Sequence, residues 1–267
     1  MRTTNPVLAR LGQAAQQRSA GYAPGYGQPY PTADGYPAAP PAVQPMTIDD
    51  VVVKTVTLLG ITGVSAVVAW NVVPPAATWG VWIGASLVGL VLGMIISFSR
   101  MANPALVVAY AVVEGFFVGL ASKVFSVIAG YPGVVLQAVV ATFGVFFVMA
   151  ILYRSRIVRS SPRFRRIMIG VMAGLFAAML LTWILSMFGV STGLRGNGTL
   201  GIVFSLVCIV VAALSFVLDF DQIEQGIRMG LPQRYSWTAA FGILVGLIWL
   251  YLEILRLLSI LQGGWRD

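Results

Sequence analysis

Long apolar runs dominate the chain after residue 46, and polar residues occur mainly between them. Seven runs are long enough to cross a hydrocarbon core of roughly 30 Å as helices. Their expected positions are 51–73, 79–99, 104–125, 134–153, 167–189, 200–220 and 237–261. The pattern predicts an all-α integral membrane protein built as a bundle of seven transmembrane helices.

Residues 1–46 differ in composition from the rest of the chain. Over 22–45 the sequence is rich in Pro, Gly, Ala and Tyr and poor in aliphatic residues. Such a segment buries too little apolar surface to offset the entropy lost on ordering. We predict a disordered, cytoplasm-facing N-terminal tail at 1–46 and a transmembrane domain at 47–267. A Tyr/Pro docking site for a partner is the alternative role for the tail.

Composition agrees with a lipid-facing surface. The chain of 267 residues is 58% hydrophobic and only 10% charged, whereas a soluble domain carries about 25% charged residues. The net charge of +8 comes mainly from residues between the apolar runs. The positive-inside rule accounts for that placement, so we expect no nucleic-acid partner.

Several kinds of catalytic site are excluded by the residue types present. The chain has no histidine and one cysteine, Cys208, which rules out histidine-dependent triads and a thiol metal cluster. Intramembrane aspartyl proteolysis would need a second aspartate within another apolar run, and none is there. We therefore expect no enzymatic activity and no resident cofactor.

Four acidic residues lie within or at the ends of apolar runs: Glu114, Asp219, Asp221 and Glu253. A charge inside a membrane helix costs about 2.5–3.5 kcal/mol on insertion scales, so such residues tend to be functional. For Asp221 the alternative is a position in the headgroup region. For Glu114 the alternative is a hydrogen bond to a neighbouring helix. Glu253 has Arg256 three residues later on the same helical face, which also suits an internal ion pair.

Together the four acids suggest a cation or proton site. Burial in a low dielectric favours the neutral form of a carboxyl group, and two adjacent carboxyl groups can share a proton. Once ionised, such a pair can bind a hard cation, and oxygen-only ligands suit calcium.

Two motifs carry a resemblance to a known family. The sequence DFDQI at 219–223 and the run LYLEILRLL at 250–258 resemble motifs of the Bax inhibitor-1/YccA family. With the seven-span plan, the resemblance covers roughly residues 47–262 and leaves the tail outside.

The resemblance implies a multi-pass protein whose last helix is central, and several family members are implicated in pH-sensitive calcium leak. It also implies a latch of two aspartates assisted by an arginine in the second helix. By motif, Asp219 takes the first position and Glu253 the second, as Glu instead of Asp, so that these two would bind the ion. Arg100 is the candidate arginine.

The depths of the two latch residues disagree. Glu253 lies 16 residues after Trp237, or roughly 24 Å along an ideal helix, whereas Asp219 lies near the end of the sixth span. They can meet only if the seventh helix starts in the cytoplasm, the sixth extends beyond Asp219, or the last segment is re-entrant.

These observations predict a pH-sensitive cation leak, with Ca²⁺ or H⁺ as transient partners beside the lipid bilayer. Asp219, Glu253, Asp221, Glu114 and Arg100 are the expected gating and ion-binding residues. The alternative is a regulatory membrane protein that moves no ion and binds a partner such as a membrane protease. We expect it in a bacterial plasma membrane, with a cytoplasmic N-terminus.

The arginine-rich segment from Arg154 to Arg166 tests this orientation. It holds six arginines, against a single charge in each flanking outer loop, so it should be cytoplasmic. A cysteine placed at Ser160 should resist an impermeant thiol reagent added outside intact cells. Ready labelling from outside would invert the topology.

Overall fold

The described part of the chain consists almost entirely of long helices. The structure is a computed structural model that describes residues 44–99, 101–128, 130–131, 133–190, 192–196 and 198–263. Seven of its helices are long and apolar enough to cross a membrane. They are α1 (Ile48–Val72), α2 (Thr78–Phe98), α3 (Pro104–Lys123), α4 (Val134–Arg154), α5 (Pro162–Met187), α6 (Thr199–Arg228) and α7 (Tyr235–Gly263).

The seven predicted spans are confirmed, but the boundaries of α6 and α7 change the depth of the candidate site. α6 continues to Arg228 instead of ending near residue 220, because nothing in its polar last turns breaks a helix before Gly230 (φ 65°). α7 is one unbroken helix of 29 residues. The re-entrant form of the last segment is therefore not what the structure shows.

α7 is the central helix of the bundle. In an apolar stretch of 18 residues taken from each helix, 72% of the residues are buried in α7, against at most 44% in any other helix. It packs against α1, α3, α4 and α6. α5 lies at the periphery, where 6% of its core is buried. The expectation of a central last helix is thus confirmed.

α1 and α3 pack with their backbones close together. Thr62 and Ser65 of α1 donate hydrogen bonds to the carbonyl oxygens of Ala111 and Val112 in α3, at 3.2 and 2.7 Å. A Cβ atom at Gly119 would lie 2.3 Å from the carbonyl oxygen of Ala66. Only glycine allows this approach, as expected where helices pack through small residues in lipid.

The small-residue pattern predicted more contacts than occur. The four-residue spacing of the glycine pairs 80/84, 89/93, 115/119 and 170/174 predicts that they pack against other helices of the chain, with homodimerisation as the alternative. Gly115 and Gly119 do so, and Gly89 and Gly93 face side chains of α3. Within the described part of the chain, the pairs 80/84 and 170/174 have no atom within 4 Å of an added Cβ. For these two pairs the prediction of packing within the chain is wrong.

Long-range contacts define two ends of the bundle. Tyr153 donates to Glu224 and the amide of Ala102 donates to Thr238 at the end where α7 begins, here named the Met46 face. At the opposite end, here named the Arg195 face, Arg195 pairs with Glu253 and Gln262 donates to Gln137.

Residues 44–46 pack against the end of the bundle where α7 begins. The amide of Met46 donates to the carbonyl of Leu231 at 2.7 Å, and Met46 is only 3% exposed. Thr47 and Asp50 then cap the start of α1 reciprocally. Residues 44–46 of the predicted tail thus contact the turn between α6 and α7, and the rest of that tail, 1–43, lies outside the described residues.

Replacing Gly119 by alanine should destabilise the bundle. The added methyl group meets the backbone of Ala66, and such overpacking costs typically about 1–3 kcal/mol. Gly174→Ala is the matched control, since its Cβ meets nothing within 4 Å. Unfolding of the purified protein in detergent should show a lower midpoint for Gly119→Ala alone. Equal midpoints would contradict the close α1–α3 contact.

Candidate functional site

Asp219 lines a cavity of about 190 Å³ near the Met46 face. Among the described residues its carboxylate has no hydrogen-bond or ion-pair partner. The nearest position on α7 is Gly242, whose added Cβ would lie 3.9 Å from Asp219 Oδ1. The remaining lining residues are Met46, Gln222, Ile223, Gly226, Leu231, Tyr235, Thr238 and Ala239.

Asp221 and Glu224 lie on the same helix but have local partners. Asp221 accepts a hydrogen bond from the side-chain amide of Gln225 at 2.8 Å. Glu224 accepts one from the hydroxyl of Tyr153 at 2.6 Å and pairs with Arg228. Neither acid lines the Asp219 cavity. Among the residues that the structure describes, Asp219 therefore supplies the only carboxylate that lines the cavity.

Glu253 lies near the Arg195 face, 2% exposed and between two arginines. Its Oε1 atom is 3.7 Å from Arg195 and its Oε2 atom 3.8 Å from Arg256. Arg256 also donates to the carbonyl of Leu194 at 3.4 Å. The sequence analysis included the ion pair between Glu253 and Arg256 as one interpretation. It did not predict the pair with Arg195, because no sequence spacing indicates contact between this loop residue and a helix residue 58 positions later.

Asp219 and Glu253 do not meet. Gly242, which faces Asp219, and Glu253 are eleven positions apart on α7, or about 16 Å along an ideal helix. Buried apolar residues fill the interval: Phe216, Ile243, Leu247 and Leu250. The extension of α6 lengthens its polar end but does not bring Asp219 to the level of Glu253. The two residues therefore form no joint metal site in this conformation.

Glu114 occupies a third position, between α2 and α3. It is half-buried, and its Oε1 atom would lie 2.7 Å from a Cβ at Gly89. Tyr110, one turn earlier on α3, is its polar neighbour. Arg100 lies outside the described residues. In the described part of the chain no three Cys, Asp or Glu residues are grouped so as to hold a metal ion.

The comparison with known families agrees with the fold and with the two motifs. The family model described as Bax inhibitor 1 like matches residues 5–263. The chain belongs to the Bax inhibitor 1 like family. The match begins within the predicted tail, whereas the motif resemblance begins at residue 47. A search of curated proteins gave no significant match.

Two lysines of this Bax inhibitor 1 like protein have structural roles that the sequence analysis missed. Lys123 is buried and donates to the carbonyls of Trp70 and Val73 at 2.8 and 2.7 Å. It thereby pairs with backbone carbonyls left without partners at the end of α1, just before Pro74. Its positive charge also interacts favourably with the negative end of the α1 dipole. Lys54 contacts Ser236 and lies 5.4 Å from the ring centre of Trp237, which joins α1 to the start of α7.

Removing the charge of Glu253 should destabilise this Bax inhibitor 1 like fold. Glu253→Gln leaves the buried Arg256 guanidinium without its counter-charge, and breaking a buried pair costs about 3–5 kcal/mol. Arg195→Gln should cost about 1 kcal/mol or less, because the Arg195 side chain is 47% exposed. Denaturant unfolding in micelles measures both. A larger loss for Arg195→Gln than for Glu253→Gln would contradict the arrangement.

Proposed function

We propose that this protein is a pH-sensitive cation leak in a bacterial plasma membrane, with calcium as the expected ion. The observation that carries the proposal is the Asp219 carboxylate, which lines a cavity and has no hydrogen-bond or ion-pair partner among the described residues. An uncompensated carboxylate in a membrane protein is costly, and a cation entering the cavity would offset that cost. Membership of the Bax inhibitor 1 like family supports the same proposed function.

The carboxylates of Asp219 and Glu253 have different roles in this proposal. With the arginine-rich loop in the cytoplasm, the Asp219 cavity lies on the cytoplasmic side and draws cations by its charge. Glu253 lies on the outer side, where two arginines already balance it. Asp219 therefore attracts the ion, and the Arg195–Glu253–Arg256 group holds the outer end of α7 closed.

The described conformation supports a closed state. Between the two carboxylates the interior is apolar, and Phe216 packs so tightly on Gly246 that an added Cβ there would lie 2.9 Å from its ring. A cation cannot cross such a layer without partners for its charge. Conduction thus needs a second conformation in which the contacts of Phe216 and α7 differ.

Protonation acts on the leak through Asp219. The neutral carboxyl group no longer attracts a cation, so flux should rise as pH rises and Asp219 ionises.

Asp219→Asn tests the proposal in proteoliposomes. Asparagine keeps the shape and removes the charge, so calcium flux should fall by roughly fivefold, equivalent to about 1 kcal/mol of lost attraction. The dependence of flux on pH should flatten as well. Asp221→Asn makes the same change in charge outside the cavity and should leave both nearly unchanged. Wild-type flux and pH dependence in Asp219→Asn would contradict the role of Asp219.

A partner-binding regulator is the second candidate function. The observation that favours it is α5, which has 6% of its core buried within the chain and the open glycine pair 170/174. Such a surface suits packing against another membrane helix. An absence of flux in the wild-type protein at every pH would favour this function over the leak.

A further inference from the structure

Glu114 lies at the middle of α3, far from both ends of the helix. It follows Pro104, the first residue of α3, by ten positions and precedes Lys123, the last residue, by nine. On an ideal helix roughly 14–15 Å separate it from either end, which is farther than a side chain in a loop reaches. The carboxyl group must therefore find its partners within the bundle.

Gly89, at the middle of α2, makes space for this carboxyl group. A Cβ atom at Gly89 would lie 2.7 Å from Oε1 of Glu114 and 3.7 Å from the side chain of Val113, so a larger residue there would displace the carboxyl group. Gly89 is buried, whereas its neighbours Val88 and Leu90 are exposed on the outer surface of the bundle. The carboxyl group thus lies in an apolar recess between α2 and α3.

The helices around the recess supply no counter-charge for a carboxylate. α2 contains no charged or titratable residue, and the charged residues of α1 all belong to its first two turns. Those of α7, Glu253 and Arg256, pair with each other near the Arg195 face, and Lys123 of α3 donates to the end of α1. Among the described residues, Glu114 accordingly forms no ion pair.

Tyr110 provides a polar neighbour for Glu114. It lies one turn earlier on α3, beside the carboxyl group, and packs on Phe241 of α7. The hydroxyls of Thr62 and Ser65 on α1 donate to carbonyl oxygens of α3 instead. A neutral tyrosine hydroxyl does not replace the hydration shell of a carboxylate, whereas a protonated carboxyl group loses far less on leaving water. The recess therefore suits the neutral form.

We propose that Glu114 is a proton-binding site whose carboxyl group is neutral in this conformation. Proton release would place a negative charge against the backbone of α2 at the middle of the membrane, where a charge is costly. α2 packs on α3, and only 11% of its apolar stretch is buried, so α2 is the element that would move. The site goes beyond the proposed leak and does not rest on it, because H⁺ binds here whether or not a cation crosses.

A lipid-soluble carbodiimide tests whether Glu114 carries a proton. A neutral carboxylic acid adds across a C=N bond of dicyclohexylcarbodiimide and passes its proton to nitrogen, whereas a carboxylate does not start this reaction. The full-length protein in lipid vesicles is treated at several pH values, and modified residues are identified by mass spectrometry of its peptides. Glu114 should be modified near neutral pH. Once the pH is high enough to ionise it, the rate should fall about tenfold per pH unit.

Glu224 is the matched control for this labelling. It is also a partly exposed glutamate beside a tyrosine, since it accepts a hydrogen bond from Tyr153, but it pairs with Arg228. Because it is ionised, it should react at least about tenfold more slowly than Glu114 near neutral pH. Glu114→Gln should remove the modification from its own peptide alone. A Glu114 that stays unmodified, or reacts no faster than Glu224, would overturn the proton site.

The pH dependence of unfolding gives a second measurement. The folded chain would hold a proton that the unfolded chain, whose glutamates ionise above about pH 4.3, has released, so this site should lower stability as pH rises. Glu114→Gln keeps the shape and stays neutral, so its midpoint of denaturation should rise relative to the wild type as the pH is raised. Glu224→Gln should keep a constant difference from the wild type. Parallel curves for Glu114→Gln and the wild type would overturn the proton site, whatever the calcium flux of Asp219→Asn.

Discussion

The burial of α7 inside the bundle is the constraint on which the other features depend. A helix surrounded by α1, α3, α4 and α6 must be apolar nearly all round its circumference, and any charge on it needs a partner within the bundle. Glu253 meets that condition with Arg195 and Arg256. Gly242 has no side chain and so leaves space beside Asp219.

This arrangement separates the two carboxylates that the motifs suggest as a pair. One carboxylate lies in a cavity near the Met46 face, and the other lies between arginines near the Arg195 face. The packing of Phe216 against Gly246 occupies the space between them. Asp219 on α6, beside Gly242 of the central helix, and Glu253 on the central helix itself thus lie in two separate places along α7.

Much of the fold could be predicted because its causes are local. Hydropathy and length predicted the seven spans. These signals depend on neighbours in sequence, and a membrane allows few alternatives to a helix for an apolar run.

The site was less predictable because its contacts join distant parts of the chain. Arg195 reaches Glu253 from a loop, and Met46 reaches Leu231 through backbone atoms that leave no pattern in the sequence. The glycine pairs at 80/84 and 170/174 match the packing motif, but an added Cβ there would meet no atom of the described residues within 4 Å. The spacing of small residues identifies a face suited to packing, but does not say whether another helix lies against it.

The claim that Asp219 and Glu253 are separate sites is tested most directly by a double-mutant cycle. Asp219→Asn, Glu253→Gln and the double variant would be compared by their free energies of unfolding in micelles. Residues this far apart with no shared partner should give effects that add within about 0.5 kcal/mol. A coupling energy of about 1 kcal/mol or more would show that the two carboxylates interact directly, and would contradict the separation described here.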